Sequence, residues 1–113
     1  MAERTVGLDI KSSIDQFIEV ASKHYKIDAA ILFGSFARGT NHEDSDIDVA
    51  VISNDIKDKF DDMAKLMTLT WGIDTRIEPH PIRTDDFIKR DTSLIIDIIE
   101  TGIPITWAKK PFA

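Results

Sequence analysis

Residues 29–52 read AAILFGSFARGTNHEDSDIDVAVI, and the fold turns on how this stretch is divided. Residues 29–33 are an unbroken apolar run stopped by Gly34, the pattern of a buried strand. Residues 35–38 have room for one helical turn after the glycine, and residues 41–45 read as a turn or loop. Asp46-Ile47-Asp48-Val49 then alternates before a second apolar run closes at Ile52. If residues 46–52 are a strand, Asp46 and Asp48 project from the same face. Two carboxylates that close raise each other's cost of ionisation. A hard divalent cation with oxygen ligands is the usual offset.

Outward from this centre the chain alternates helical and extended patterns. Ile10, Ile14, Phe17, Ile18 and Ala21 form one helical stripe, predicting a helix over residues 8–24 with Asp9 or Ser12 as its cap. Residues 1–8 read as a loose lead-in. Phe60, Met63, Ala64, Met67 and Trp71 hold helical spacing, predicting a helix over 57–71 with this stripe in the core and Gly72 after its end. Residues 73–78 alternate, with Ile73, Thr75 and Ile77 on one face and Asp74, Arg76 and Glu78 on the other. Pro79 and Pro81 make that segment an edge strand or end it. Short helices are expected over 84–87 and 93–100, with Thr84 and Thr92 or Ser93 at their starts and Gly102 as a stop. Residues 103–107 suggest a last short strand that could be a sheet edge, a dimer contact or a partner surface, and Lys109-Lys110 belong to a basic tail. The expected architecture is a mixed α/β (α+β) domain spanning residues 1–113, a small mixed sheet carrying helices.

Composition bounds the function. The chain has 113 residues, a formal net charge of −6 and no cysteine. An acidic chain lacking a Lys/Arg cluster does not fit a duplex nucleic-acid binder, whose affinity comes from phosphate neutralisation. The missing cysteines remove disulfides, thiolate metal sites and cysteine nucleophiles. No apolar run approaches the roughly 20 residues that cross a bilayer, and the first residues have no apolar leader core. A cytoplasmic protein is expected.

The chemistry gathers on acids and a glycine turn. Asp46 and Asp48, joined by Asp74 or Glu78 from the next strand, would make a site for one or two Mg²⁺ ions suited to in-line attack at phosphorus. At Gly34-Ser35 a close backbone approach and the N–H groups of the following turn could hold phosphate oxygens. Leu32-Phe33-Gly34-Ser35, a gap of ten residues and Asp46-Ile47-Asp48-Val49 together resemble the signature of the nucleotidyltransferase superfamily that includes DNA polymerase beta. GSFARGT followed by SDIDVAV is similar to the minimal nucleotidyltransferase (MNT) proteins. The resemblance implies the nucleotidyltransferase fold. It also implies that Gly34 and Ser35 hold the triphosphate of ATP, that Asp46 and Asp48 bind the metals, and that a third acid completes the site. RIEPHPI resembles the segment carrying that acid, which favours Glu78 over Asp74. Arg38 could reach phosphates or a partner. Arg76 is read as neutralising the acids, Asp44 as a loop residue, and His42 and His80 as surface residues, although His80 sits beside Glu78 and could lie near the site.

The same resemblance implies an activity and a partner. Stand-alone MNT proteins commonly pair with a HEPN-domain ribonuclease toxin, acting as antitoxins that move AMP from ATP to a toxin tyrosine. The chain shows no second domain to hold an acceptor, which points to an acceptor brought by the partner. Two other readings stay open: an adenylyltransferase for small molecules of the antibiotic type, and a non-catalytic module that neutralises a partner by contact. Homo-oligomerisation is left open.

Overall fold

The computed structural model describes residues 7–107, so the expected lead-in before Gly7 and the Lys109-Lys110 tail lie outside the described residues. The apolar run of the central stretch forms β1 (Ala29–Phe33), every residue of it buried. Ser35–Arg38 is a four-residue helix, α2, and Ile47–Ile52 is β2. The expected strand start at Asp46 is corrected by one residue: the ladder begins at Ile47, and Asp46 lies just before it, exposed. β3 is Ile77–Ile82 and β4 is Ile103–Trp107. The four strands form one sheet in the order β3-β2-β1-β4. β1 runs antiparallel to β2 and β4, and β2 runs parallel to β3, so the sheet is mixed as expected and residues 103–107 are its far edge.

The third strand departs from its expected bounds of 73–78. Asp74 accepts hydrogen bonds from the Arg76 backbone N–H at 3.0 Å and from the Arg76 side chain, holding this segment in a turn. The ladder therefore starts at Ile77 and runs through both prolines. The two ends of the pairing show why this is allowed. Ile47 N–H donates to the Arg76 carbonyl and Ser53 N–H to the Ile82 carbonyl, so the even-numbered residues turn their backbone toward β2. Pro79 and Pro81 have the other parity, and their missing N–H groups face the open edge.

Helices cover both faces of the sheet. α1 (Leu8–Ala21) buries the expected stripe of Ile10, Ile14, Phe17, Ile18 and Ala21. It ends three residues before the expected His24, where the Ser22 hydroxyl bonds the Ile18 carbonyl and the next N–H groups reach back only three residues. Its N-cap is Gly7, not Asp9 or Ser12, and Asp9 falls in the first turn, where the helix dipole favours an acid. α3 (Lys59–Leu69) is shorter than the expected 57–71 because the Asp58 carboxylate accepts from the N–H groups of Phe60 and Asp61 and so fixes the start. α1 and α3 pack with Ala30, Leu32, Val49, Val51 and Ile77 on one face of the sheet. On the other face Ala29, Ile31, Phe33, Ala50 and Ile52 meet Phe87 of α4 (Thr84–Lys89) and Ile95 and Ile98 of α5 (Ser93–Thr101). α4 thus runs to Lys89 rather than 87, and the Thr92 hydroxyl caps α5 by accepting from Ile95 N–H. Among the described residues no helix is long and apolar enough to cross a membrane.

One expectation about the core is reversed. The stripe of Phe60, Met63, Ala64, Met67 and Trp71 faces outward: Phe60 is 80% exposed, Trp71 72% and Met67 39%. The buried side of α3 carries Asp62 and Leu66 instead. Asp62 is tolerated there because it accepts from the Tyr25 hydroxyl at 2.6 Å and from the N–H groups of Lys57 and Asp58 at 2.8 and 3.0 Å. Burial alone would push its carboxyl up, but the Tyr25 hydroxyl and the two backbone N–H groups more than reverse this and hold it below the ordinary range. Leu66→Ala is therefore expected to cost about 2–5 kcal/mol, whereas Trp71→Ala should stay within about 0.5 kcal/mol of the parent. Urea unfolding of the two variants measures both.

Candidate active site

Strand pairing builds the site. The antiparallel register sets Phe33 opposite Asp48, which brings the end of β1 to the start of β2. The parallel register sets Asp48 opposite Glu78. Side chains at adjacent positions of paired strands share a face, so Asp48 and Glu78 stand together, with His80 two residues further along. This is the sheet face that Phe87, Ile95 and Ile98 cover elsewhere, and its end is left open to a cleft of about 560 Å³. Gly34, Ser35, Asp46, Asp48 and His80 line the cleft, with Arg38 from α2, Thr40, His42 and Asp44 from the loop, and Leu94 and Asp97 from α5.

Gly34 is required by the backbone and by its neighbour. Its φ is +74°, a region that side chains avoid. A Cβ there would lie 3.2 Å from Asp48 Cγ and closer still to Oδ2, so the missing side chain is the space the carboxylate occupies. Gly34→Ala should destabilise the fold by about 1–3 kcal/mol and displace Asp48. Urea titration checks the first effect and nucleotide-transfer assays the second.

The carboxylates press on one another. Burial pushes the Glu78 carboxyl above its ordinary value; Asp48 and Asp46 push the same way, and His80 opposes them. A bound cation would remove this conflict. Asp48, Glu78 and His80 each offer one donor atom, and the three atoms lie within 4.8 Å of one another, so the group could hold a metal ion. His80 Nε2 is 3.0 Å from Asp48 Oδ1 and 3.5 Å from Glu78 Oε1. Its ring meets Phe33 edge-on at 4.9 Å.

The remaining sequence candidates take other places. Asp74 is held by Arg76 at 2.8 Å and by the Ser13 hydroxyl of α1 at 2.9 Å, and it does not join the acids of the cleft. Arg76 pairs with Asp74 rather than with the acids of the cleft, and its guanidinium, with the Arg76 backbone and Ser13 donors, draws the Asp74 carboxyl down to about 2. Arg38 reaches across the cleft to Asp97 at 3.0 Å. For His80, read from sequence as a surface residue that could lie near the site, the surface reading is corrected and the nearer one holds: its side chain is 24% exposed and it sits among the acids. The signal that could have found it is its two-residue spacing from Glu78, which puts both on one face of an extended strand. His42 is exposed, as expected, and Asp44 is a loop residue.

The family described as Polymerase beta, Nucleotidyltransferase matches residues 15–110. A Methanocaldococcus jannaschii protein, named as a candidate protein adenylyltransferase, is 32% identical over 65 residues, 56% of this chain. The match spans 65% of that relative's length, somewhat under two thirds. Solved structures share the fold. A toxin-antitoxin complex with AMP-PNP superposes with a TM-score of 0.63 at 22% identity, covering 88% of this chain and 75% of that one. A candidate nucleotidyltransferase from Sulfolobus solfataricus gives 0.61 at 19% identity, covering 99% and 98%. The toxin-antitoxin MntA-HpeT, in a mutant carrying two aspartate-to-glutamate changes, gives 0.63 at 20% identity, covering 90% and 77%.

Proposed function

The chain belongs to the polymerase beta nucleotidyltransferase family, and from that premise we propose that it is a Mg²⁺-dependent nucleotidyltransferase that moves AMP from ATP to a hydroxyl of a partner protein. The observation that carries this reading is the register pairing Asp48 with Glu78 beside the side-chain-free wall of Gly34. The whole of residues 1–113 acts as one minimal nucleotidyltransferase domain. Gly34 and Ser35 receive the triphosphate at the start of α2, and Arg38 exchanges Asp97 for a phosphate oxygen. Asp46, Asp48 and Glu78 would hold the Mg²⁺ ions, two in this reading, which would supply the positive charge that phosphoryl transfer requires. The acceptor oxygen forms a bond to the α-phosphorus as the bond to the bridging oxygen breaks and pyrophosphate leaves. The hydroxyl proton passes to a carboxylate such as Glu78.

The acceptor proposed is a tyrosine of a HEPN-domain toxin, which makes this chain the antitoxin of the pair and sets it in the cytoplasm, where ATP is supplied. Support comes from the toxin-antitoxin complexes that share its fold, one of them solved with AMP-PNP, and from the M. jannaschii relative's name. The test is incubation with α-labelled ATP, Mg²⁺ and a HEPN-domain toxin protein. Label on a toxin tyrosine supports the reading. Neutralisation of the toxin without label, persisting in Asp46→Asn/Asp48→Asn, would replace it with contact alone. Label found only on a small alcohol would make it an antibiotic-type transferase.

A further inference from the structure

We propose that His80 is itself a ligand of the divalent cation at Asp48 and Glu78, and that its nitrogen tilts the site toward transition ions over Mg²⁺. The inference rests on the metal-dependent reading above. Its observations are separate from those that identify the acids. His80 Nε2 stands 3.0 Å from Asp48 Oδ1 and 3.5 Å from Glu78 Oε1. Two donors at right angles on an ion with bonds of about 2.1 Å are about 3.0 Å apart, and tetrahedral donors at about 2.0 Å are about 3.3 Å apart. The 3.0 Å spacing is that of adjacent donors on one ion, and the 3.5 Å spacing to Glu78 lies within a few tenths of an ångström of the tetrahedral value.

The ring is also held in place. β3 carries Glu78 and His80 on one face, and Phe33 meets the imidazole edge-on at 4.9 Å, which restricts its rotation. With Nε2 turned to the acids, Nδ1 is the nitrogen left to carry the proton of a neutral, metal-binding imidazole. The chemistry of the donor set then decides the preference. Mg²⁺ takes oxygen ligands and keeps its waters. Imidazole favours borderline ions such as Co²⁺ and Zn²⁺, which stand above Mn²⁺ in affinity for nitrogen sites. A three-oxygen site would lack this bias.

The experiment measures metal binding directly, apart from catalysis. Mn²⁺ bound to the full chain is examined by pulsed electron paramagnetic resonance for nitrogen coupling, and Co²⁺ and Mg²⁺ affinities are compared by calorimetry. Nitrogen coupling that disappears in His80→Gln is expected. The same variant should weaken Co²⁺ by at least about tenfold, a loss that even outer-shell partners of a ligand can produce, and change Mg²⁺ by less than about threefold. His80→Asp, which restores an oxygen donor, should move the preference toward Mg²⁺. Bound Mn²⁺ without nitrogen coupling would overturn the proposal and leave the metal-dependent reading standing. Equal weakening of both ions in His80→Gln would do the same, showing that the ring only positions Asp48. A chain that binds no divalent ion would sink both readings.

Discussion

Asp48→Asn is expected to lower AMP transfer by at least about a thousandfold, equivalent to roughly 4 kcal/mol of transition-state stabilisation. Asp48 is the acid on which the site converges. It faces Glu78 across the β2–β3 ladder, lies 3.0 Å from His80 and fills the space left by Gly34. Asparagine keeps the volume and removes the charge, so substrate phosphates would enter a site with one anionic ligand fewer for the cations. Stability should not fall with activity, because Asp48 adds to the cost of ionising Glu78 and its removal relieves that cost. Steady-state transfer on the partner protein and urea unfolding are to be read together. An unfolding midpoint at or above the parent's with transfer lost assigns Asp48 to the chemistry. Transfer within tenfold of the parent would refute the assignment.

The parts of the fold that were legible in the sequence are those where one periodicity had no rival. The apolar run at 29–33 and the alternation from Asp46 onward gave β1 and β2 to within a residue, and the α1 stripe is buried throughout. The antiparallel meeting of Phe33 with Asp48 then follows from a reversal between two neighbouring strands. β3 was misplaced because Ile73-Asp74-Thr75-Arg76-Ile77 alternates like a strand, while an Asx turn governs it: Asp74 takes the Arg76 N–H at 3.0 Å. Pro79 and Pro81 left an edge strand or a strand end open, and the edge strand holds: β3 is the outer strand, and the side on which its prolines lack N–H groups is a property of the pairing and not of the segment.

The outward face of α3 was illegible for a different reason. Periodicity reports a stripe but not the direction in which it points. The stripe with Phe60 and Trp71 is the more apolar one, and the core took the opposite side, with Leu66 and a buried Asp62. That choice depends on Tyr25, which is 37 residues away in sequence and donates to Asp62. The place of His80 was left open by the same shift that displaced β3, since only a strand running through Pro79 fixes it beside Glu78 on the face of Asp48.

Glu78 and Asp74 were the two acids that alternation left open for the third position, and a paired substitution decides between them. Glu78→Gln is expected to reduce transfer by about a hundredfold or more, through loss of a cation ligand and of the group placed to take the acceptor proton. Its stability should hold or rise, because burial and Asp48 already oppose the Glu78 charge. Asp74→Asn should show the reverse. Asp74 ties α1 to the turn before β3 through Ser13 and Arg76, and the Arg76 contact first, with the Ser13 and backbone bonds, draws its carboxyl from 3.8 to about 2. A carboxyl depressed by folding adds stability above its unfolded pKa and loses it as pH falls through the folded one. Asp74 therefore contributes fully above about pH 4, and its contribution disappears as pH falls to about 2. With its partner Arg76 partly solvated, that contribution is about 1–2 kcal/mol. Asp74→Asn should lower the urea midpoint at neutral pH, flatten the acid limb of stability between pH 4 and 2, and leave the transfer rate within about threefold of the parent. Transfer abolished by Asp74→Asn and spared by Glu78→Gln would exchange their roles and move the third acid from the β3 ladder to the turn before it.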